Sequence, residues 1–189
     1  MCLRRAVEDA VEGAPLDDDE RRCLEEAGLY RGGLLAPRPY LIFKALQSGA
    51  TLDLAKLSRS LSWSDFEEVI VYILEGWGYS VRRGVRMECG GRGAEFDVVA
   101  WSRGHVLVVE AKHWKYGGGK WAAVAKSHLE KTARCLDKLR PLAPRVLPVV
   151  VTLSSVNAVV EGVPVLSISL LADLLRNLDY LGDQIRVLT

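Results

Sequence analysis

Residues 94–112 of this 189-residue chain read AEFDVVAWSRGHVLVVEAK and carry its most informative pattern. Ala94–Trp101 and Val106–Lys112 are rich in Val and aromatic residues, which is typical of β-strands. The link at residues 102–104, Ser-Arg-Gly, is short and contains a glycine, so it favours a hairpin between the two strands. We therefore predict two neighbouring antiparallel strands here.

Charged residues stand at corresponding places in these two predicted strands. Glu110 and Lys112 are two residues apart, so their side chains share one face of a strand. Asp97 lies on the neighbouring strand, where side chains opposite one another come within about 5 Å. Burying such charges is unfavourable unless they pair or bind a metal. A structural ion pair is the simpler interpretation, but the second carboxylate favours a metal site.

Two carboxylates beside a lysine are suited to one kind of chemistry. Mg²⁺ prefers hard oxygen ligands and completes its octahedron with water and substrate phosphate. Such an ion lowers the pKa of a bound water and polarises a phosphoryl oxygen. A neighbouring lysine can orient that water or stabilise the negative charge of the transition state. Asp97, Glu110 and Lys112 thus form a candidate site for phosphodiester hydrolysis.

The sequence on either side of this stretch predicts an α/β fold. Ser64 and Glu67 have capping-box spacing at the start of a helix. Later, a strand, a helix and a strand follow in turn, which implies a right-handed crossover and parallel pairing. The expected architecture is a mixed β-sheet flanked by helices. Its further predicted elements are helices at Ser64–Gly76, Trp121–Leu139 and Ser169–Leu178 and strands at Tyr79–Met87, Val146–Leu153 and Val163–Leu166.

The first 61 residues are expected to form a small N-terminal α-helical appendage. Acidic residues at positions 17–20 favour a helix start, because they complement the positive end of the helix dipole. Glycines and prolines then interrupt the chain. The predicted helices are Leu3–Val11, one that begins behind residues 17–20 and ends near Gly28, Tyr40–Gln47 and Leu52–Ser60.

The order of helix, Glu-x-Asp strand, hairpin, Glu-x-Lys strand, helix and strand resembles the PD-(D/E)XK nuclease superfamily, which is restriction-endonuclease-like. The chain is most similar to Mrr-like endonucleases and archaeal Holliday-junction resolvases, over roughly residues 62–170. The resemblance implies a nuclease domain at residues 62–189. Phe96 stands where a proline often precedes the aspartate in this superfamily.

The resemblance also assigns roles to particular residues. Asp97 and Glu110 would bind Mg²⁺, with Mn²⁺ able to substitute, and the backbone carbonyl of Ala111 would assist. Lys112 would be the catalytic lysine. Glu67 matches a supporting acidic residue on the first core helix, although it could simply cap that helix. Glu95 matches an extra acidic residue of some members, and a solvated strand residue is an equal alternative.

A nucleic-acid partner is expected from the resemblance and from the distribution of charge. The net charge is only +1, but residues 1–30 carry a net charge of −5 and residues 78–145 carry +8. Such asymmetry suits a polyanion. Cations mixed with aromatic residues after Lys112 can grip phosphates and stack on bases, although a solvated loop is the simpler alternative. The candidate contacts are Arg92, His113, Trp114, Lys115, Lys120 and Lys126, and either Lys126 or His128 could reach the site.

The expected function is a Mg²⁺-dependent endonuclease for DNA of restriction, repair or junction type. By the same resemblance it would act as a homodimer and leave 5′-phosphate and 3′-hydroxyl ends. One alternative is a non-catalytic helix-turn-helix protein built from residues 52–61 and 64–77, although its second helix would be acidic. Another is an RNA-directed nuclease of the same fold.

Composition adds three expectations about the chain's environment. No signal peptide or membrane-spanning run is readable, so we expect a cytoplasmic protein. The four cysteines lack zinc-site spacing and are expected to be reduced. The two Gln and two Asn residues are few for this length, which fits a thermophilic source.

Overall fold

A computed structural model describes residues 2–113, 121–181 and 184–189. It is a mixed α/β structure with two compact units, Met1–Tyr72 and Ile73–Thr189. The predicted division at residue 61 lies just before helix Trp63–Gly76, and the two units divide within this helix. None of the helices formed by described residues has the length and apolarity needed to cross a membrane.

The first unit is largely helical, as the sequence predicted. Its first helix, Cys2–Glu12, buries one apolar face, which includes Val7 and Val11 at helical spacing. Tyr40, Phe43 and Tyr72 form an aromatic cluster with ring centroids 5.5–5.9 Å apart. The elements are α1 (Cys2–Glu12), α2 (Asp18–Glu26), the hairpin β1 (Tyr30–Arg31) and β2 (Leu34–Leu35), α3 (Arg38–Gln47), α4 (Leu54–Leu57) and α5 (Trp63–Gly76).

Two details of this unit correct the sequence expectations. The helix predicted at Leu52–Ser60 is the single turn α4, because the chain after it continues in tighter turns, with the Arg59 N–H bonded to the Lys56 carbonyl at 3.2 Å. The cap of α5 is two residues earlier than predicted. Ser62 and Asp65 exchange side-chain-to-backbone hydrogen bonds of 3.0 Å, which is a capping box.

The second unit is built on a six-stranded mixed sheet in the order β3-β4-β5-β6-β8-β7. The pairs β5–β6 and β6–β8 are parallel, and the others are antiparallel. The edge strand β7 was not predicted. The elements are β3 (Ser80–Cys89), β4 (Arg92–Trp101), β5 (His105–Lys112), α6 (Trp121–Arg134), α7 (Leu136–Leu139), β6 (Arg145–Thr152), β7 (Asn157–Val160), β8 (Val163–Ser167), a 3₁₀ turn (Ile168–Leu170) and α8 (Leu171–Asn177).

Strands β4 and β5 are paired along only part of their length and are no longer paired beyond Val98 and Val109. We call this arrangement the fork, and it positions the candidate site. The β4–β5 ladder runs from Trp101↔Val106 to Val98↔Val109 and ends there. Strand β3 stays paired with β4 beyond this point, out to Cys89↔Arg92, with one interruption opposite Asp97. That interruption falls at Gly84, whose φ of +56° is easily adopted by glycine. The last residues of β5 therefore lack β4 backbone partners in the ladder.

Helix α6 packs on this sheet through a face that includes the buried Ala125, His128 and Thr132. The single helix predicted at Trp121–Leu139 is divided into α6 and α7 at Cys135, whose N–H bonds to the Thr132 carbonyl at 3.0 Å. Cys135 is joined to Cys89 at the end of β3, and Cys2 is joined to Cys23. The expectation of reduced thiols is therefore wrong for this structure.

Candidate active site

Glu110 is the centre of the candidate site. It lies near the end of β5, and only 15% of its side chain is exposed. Its Oε1 accepts a hydrogen bond from Lys112 Nζ at 2.7 Å, and its Oε2 accepts one from Lys131 Nζ, also at 2.7 Å. One carboxylate thus holds two ammonium groups, one from its own strand and one from α6.

Lys131 is a site residue that the sequence reasoning missed. Besides Glu110, its ammonium binds the backbone carbonyl of Glu95 at 2.8 Å and lies 4.9 Å from the centre of the Phe96 ring. These contacts tie α6 to both strands of the fork. The available signal was helical spacing, because Lys131 is three residues after His128 and shares its helix face.

Asp97 is hydrogen-bonded to the residue that lies between Glu110 and Lys112 in strand β5. Its Oδ2 accepts the N–H of Ala111 at 2.7 Å. Ala111 stands between Glu110 and Lys112, past the end of the β4–β5 ladder, so the carboxylate occupies the place of a missing backbone acceptor. The fork thereby brings Asp97 up to the segment of β5 that carries Glu110 and Lys112.

His128 lies behind Glu110 and is nearly inaccessible, with 1% of its side chain exposed. Its Nε2 donates to the Val108 carbonyl at 2.8 Å, and its Nδ1 lies 3.5 Å from Glu110 Oε2. Burial lowers the pKa of His128 to about 4, and this effect outweighs the opposing influence of the Val108 carbonyl and Glu110. The imidazole is therefore neutral at pH 7.

The charges around Glu110 keep it ionised. Burial by itself would raise the pKa of this carboxyl group. The hydrogen bonds from Lys112 and Lys131, with the positive charge of Lys131, more than offset burial and lower the pKa below its usual value. Glu110 thus remains an anion at neutral pH, as a carboxyl group must be in order to bind a metal ion.

A cleft of about 520 Å³ opens in front of these groups. It lies between the end of β5 and α6, so charged atoms of both elements face the same space. The described residues that line it are Glu110, Lys112, Ala123, Val124, Ser127, His128 and Lys131.

The family model described as nuclease-related domain (NERD) matches residues 62–159, more than half of the chain. The chain belongs to the nuclease-related domain family. This family has the restriction-endonuclease-like PD-(D/E)XK fold, so the predicted superfamily and fold class are confirmed. Membership gives the chain a nuclease-related function.

The other comparisons add little to this family assignment. Among solved structures, the chain is similar to AF1548, a protein of unknown function, with 22% identity and a TM-score of 0.35. That similarity covers 62% of this chain and 52% of the other, so the chain spans about half the length of that structure. No curated protein matches the chain.

The two further acidic residues of the predicted metal site make other contacts. In the nuclease-related domain, Glu95 pairs with Arg86 of β3 at 3.1 Å, and more than half of its side chain is exposed. Glu67 accepts a hydrogen bond from the indole N–H of Trp63, one turn earlier in α5. The capping alternative for Glu67 is wrong, because Asp65 has that role.

The predicted nucleic-acid contacts are only partly described. Arg92 is exposed at the start of β4, and His113 is partly buried directly after β5. Of the two candidates on α6, His128 lines the cleft, whereas Lys126 is exposed. Trp114, Lys115 and Lys120 lie outside the described residues.

The donor atoms fit a divalent cation that keeps water or substrate ligands. Asp97 and Glu110 offer carboxylate oxygens, and the Ala111 carbonyl lies on the same segment of β5. Within the described ranges, no three His, Cys, Asp or Glu residues form a complete metal cage. Mg²⁺ commonly binds through one or two carboxylates, with waters and phosphate oxygens completing its shell.

Proposed function

We propose that the chain is a Mg²⁺-dependent endonuclease that hydrolyses phosphodiester bonds in DNA, and that Mn²⁺ can replace Mg²⁺. Asp97 and Glu110 would hold the metal with the Ala111 carbonyl, and Lys112 would act on the attacking water. Glu67 and Glu95 would support the metal or a second ion. We also propose the cytoplasm as the place of action.

One observation carries this proposal. Lys112 Nζ lies 2.7 Å from Glu110 Oε1 on the cleft, and Asp97 is hydrogen-bonded to the amide between these two residues. This contact set joins two carboxylates and a lysine at one strand end. Family membership in the nuclease-related domain points to the same chemistry.

The residues would divide the work as follows. A metal ion held by Asp97 and Glu110 would make a bound water more acidic and would neutralise charge on the phosphate. Lys112, held by Glu110, places a positive charge on the cleft, where it can orient the nucleophilic water and stabilise the added negative charge of the transition state. Glu110 stays anionic because Lys112 and Lys131 lower its pKa.

Basic residues around the site would bind the DNA backbone. Residues 78–145 carry a net charge of +8, and β3 contributes exposed arginines such as Arg82 and Arg86. Phosphate contacts of this kind give salt-dependent, sequence-independent affinity. We propose that Arg92, His113, Trp114, Lys115, Lys120 and Lys126 contribute, and that two copies act as a homodimer on duplex or branched DNA.

A panel of substrates tests this function. Labelled duplex, flap, four-way-junction and single-stranded DNA, with an RNA hairpin, are incubated with Mg²⁺, Mn²⁺ or EDTA. We expect metal-dependent internal cleavage of DNA with 5′-phosphate ends. Cleavage of the RNA hairpin but of none of the DNA substrates would show that RNA, not DNA, is the substrate. Salt-sensitive binding that is equal with and without metal, and without any cleavage, would favour a binding module.

Matched variants connect the cleavage to the site. Lys112→Met removes the ammonium but keeps the length of the side chain, and we expect it to abolish cleavage. Lys138→Met makes the same change at an exposed position of α7 and should leave cleavage intact. Equal cleavage by the two variants would show that the Lys112 ammonium is not needed for cleavage.

A further inference from the structure

One ring nitrogen of His128, beside the candidate site, has no hydrogen-bond partner among the described residues. This nitrogen, Nδ1, is buried, and no described residue donates a hydrogen bond to it or accepts one from it. Buried polar atoms are nearly always satisfied by protein, water or a bound ion. An orphaned nitrogen beside a candidate metal ligand therefore needs an explanation.

The tautomer of this ring follows from its other contact. Nε2 lies 2.8 Å from the Val108 carbonyl, which can only accept, so Nε2 carries the proton. Nδ1 of the neutral ring then has a lone pair, and it lies 3.5 Å from the anionic Glu110 Oε2. Two electron-rich atoms face each other, and a cation bound by both would stabilise them.

The geometry matches two ligands of one metal ion. Ligands each about 2.1 Å from a metal lie about 3.0–3.4 Å apart at octahedral or tetrahedral angles, close to the 3.5 Å between Nδ1 and Oε2. A metal-binding histidine almost always donates its second ring N–H to a carbonyl or carboxylate. The Val108 carbonyl provides this contact. Lys131 also binds Oε2, but a carboxylate oxygen has two lone pairs and can serve both.

We propose that His128 Nδ1 is a nitrogen ligand of the divalent metal bound by Glu110, so that the site binds Mn²⁺, Co²⁺ or Zn²⁺ more tightly than Mg²⁺, the ion with which we propose that it also cleaves DNA. Imidazole suits transition metals, whereas Mg²⁺ prefers an all-oxygen shell. This inference rests on the proposed function only in taking Glu110 as a metal ligand. It adds a metal class and a ligand from α6.

Mn²⁺ binding measured by electron paramagnetic resonance tests the proposal without any activity assay. Electron spin-echo modulation detects ¹⁴N of a coordinated imidazole, and ¹⁵N-histidine labelling changes the signal. Tag-free, metal-stripped protein is required because an affinity tag would add histidines. We expect histidine ¹⁴N modulation in the wild-type protein and Mn²⁺ binding at least about tenfold tighter than Mg²⁺ binding.

Variants assign the signal to one ring. The chain has three histidines, so the double variant His105→Gln/His113→Gln keeps His128 alone. We expect this variant to retain the modulation. His128→Gln should lose it and weaken Mn²⁺ binding about tenfold, with a smaller effect on Mg²⁺. If His128→Gln does not fold, the double variant still shows whether His128 by itself gives the modulation.

Each failure has a distinct meaning. Bound Mn²⁺ without histidine modulation, or modulation lost in the double variant, would overturn the assignment to His128. Neither result would affect the nuclease proposal if Mg²⁺-dependent cleavage persists. Modulation that follows His128, with no cleavage of any nucleic acid, would instead support the metal ligand and reject the nuclease.

Discussion

Glu110 Oε2 and Lys131 Nζ form a 2.7 Å ion pair between two elements, the end of β5 and helix α6. Both side chains are mostly buried, with 15% and 23% of their area exposed. The same carboxylate holds Lys112 through its other oxygen. The site therefore contains a compact network of charges in which the two lysines differ. We propose that Lys112 acts on the attacking water, whereas Lys131 joins helix α6 to strands β4 and β5.

Removing Lys131 should destabilise the protein. Lys131→Met leaves Glu110 with one ammonium and removes the hydrogen bond to the Glu95 carbonyl. Charged hydrogen bonds contribute about 1.5–3 kcal/mol each when partly buried, so we expect a loss of about 2 kcal/mol in the free energy of unfolding. Urea denaturation measures it. Lys138→Met, at an exposed position of α7, is the control, and equal stability of the two variants would contradict the structural role of Lys131.

Changing Asp97 to asparagine should separate metal binding from folding. The amide oxygen of Asp97→Asn can still accept the Ala111 N–H, so we expect a stability change below about 1 kcal/mol. The lost negative charge should weaken divalent-metal binding about tenfold or more, as measured by calorimetry. Asp137→Asn, on the exposed surface of α7, is the matched control. Unchanged metal affinity in Asp97→Asn would exclude Asp97 as a ligand.

Acid should destabilise the metal-free protein through His128. Its pKa in the folded protein is about 4, lower than the usual 6.5, so the unfolded chain binds more protons between these values. Stability is thus complete above pH 6.5 and falls as the pH is lowered towards 4, by about 3 kcal/mol for this group. Urea unfolding in EDTA at several pH values measures the slope. A slope in His128→Gln as steep as in the wild type would contradict this assignment.

The bond between Cys89 and Cys135 should stabilise the second unit. It closes a loop of 46 residues and joins the end of β3 to the junction of α6 and α7. Such a crosslink typically contributes about 2–4 kcal/mol by restricting the unfolded chain. We expect Cys89→Ala/Cys135→Ala to unfold at lower urea than the oxidised wild type. Detection of four free thiols in the purified native protein would contradict the pairing.

Local sequence patterns predicted most of the second unit. Runs of Val and Leu interrupted by Ser102-Arg103-Gly104 correspond to β4 and β5, and the apolar run after Pro144 corresponds to β6. Strand β7 was missed because its four residues, Asn157–Val160, are too short to show a period. The pairing of Cys89 with Cys135 was also inaccessible, since spacing alone does not determine which distant cysteines meet.

The site was predictable only in part, for a related reason. Glu110 and Lys112 share a face because strands alternate, and this follows from the sequence alone. The contact of Lys131 with Glu110 depends on how α6 is rotated on the sheet, which no local pattern determines. Likewise, Asp97 reaches the Ala111 amide only because the β4–β5 ladder ends at Val98.

The most direct measurement is cleavage of end-labelled DNA by the wild-type protein, Lys112→Met and Lys138→Met, with Mg²⁺, Mn²⁺ or EDTA. If Asp97, Glu110 and Lys112 form a metal-dependent nuclease site, the wild type and Lys138→Met cut only with metal, and folded Lys112→Met does not cut. Cleavage that persists in EDTA, or in Lys112→Met at the wild-type rate, would contradict the account.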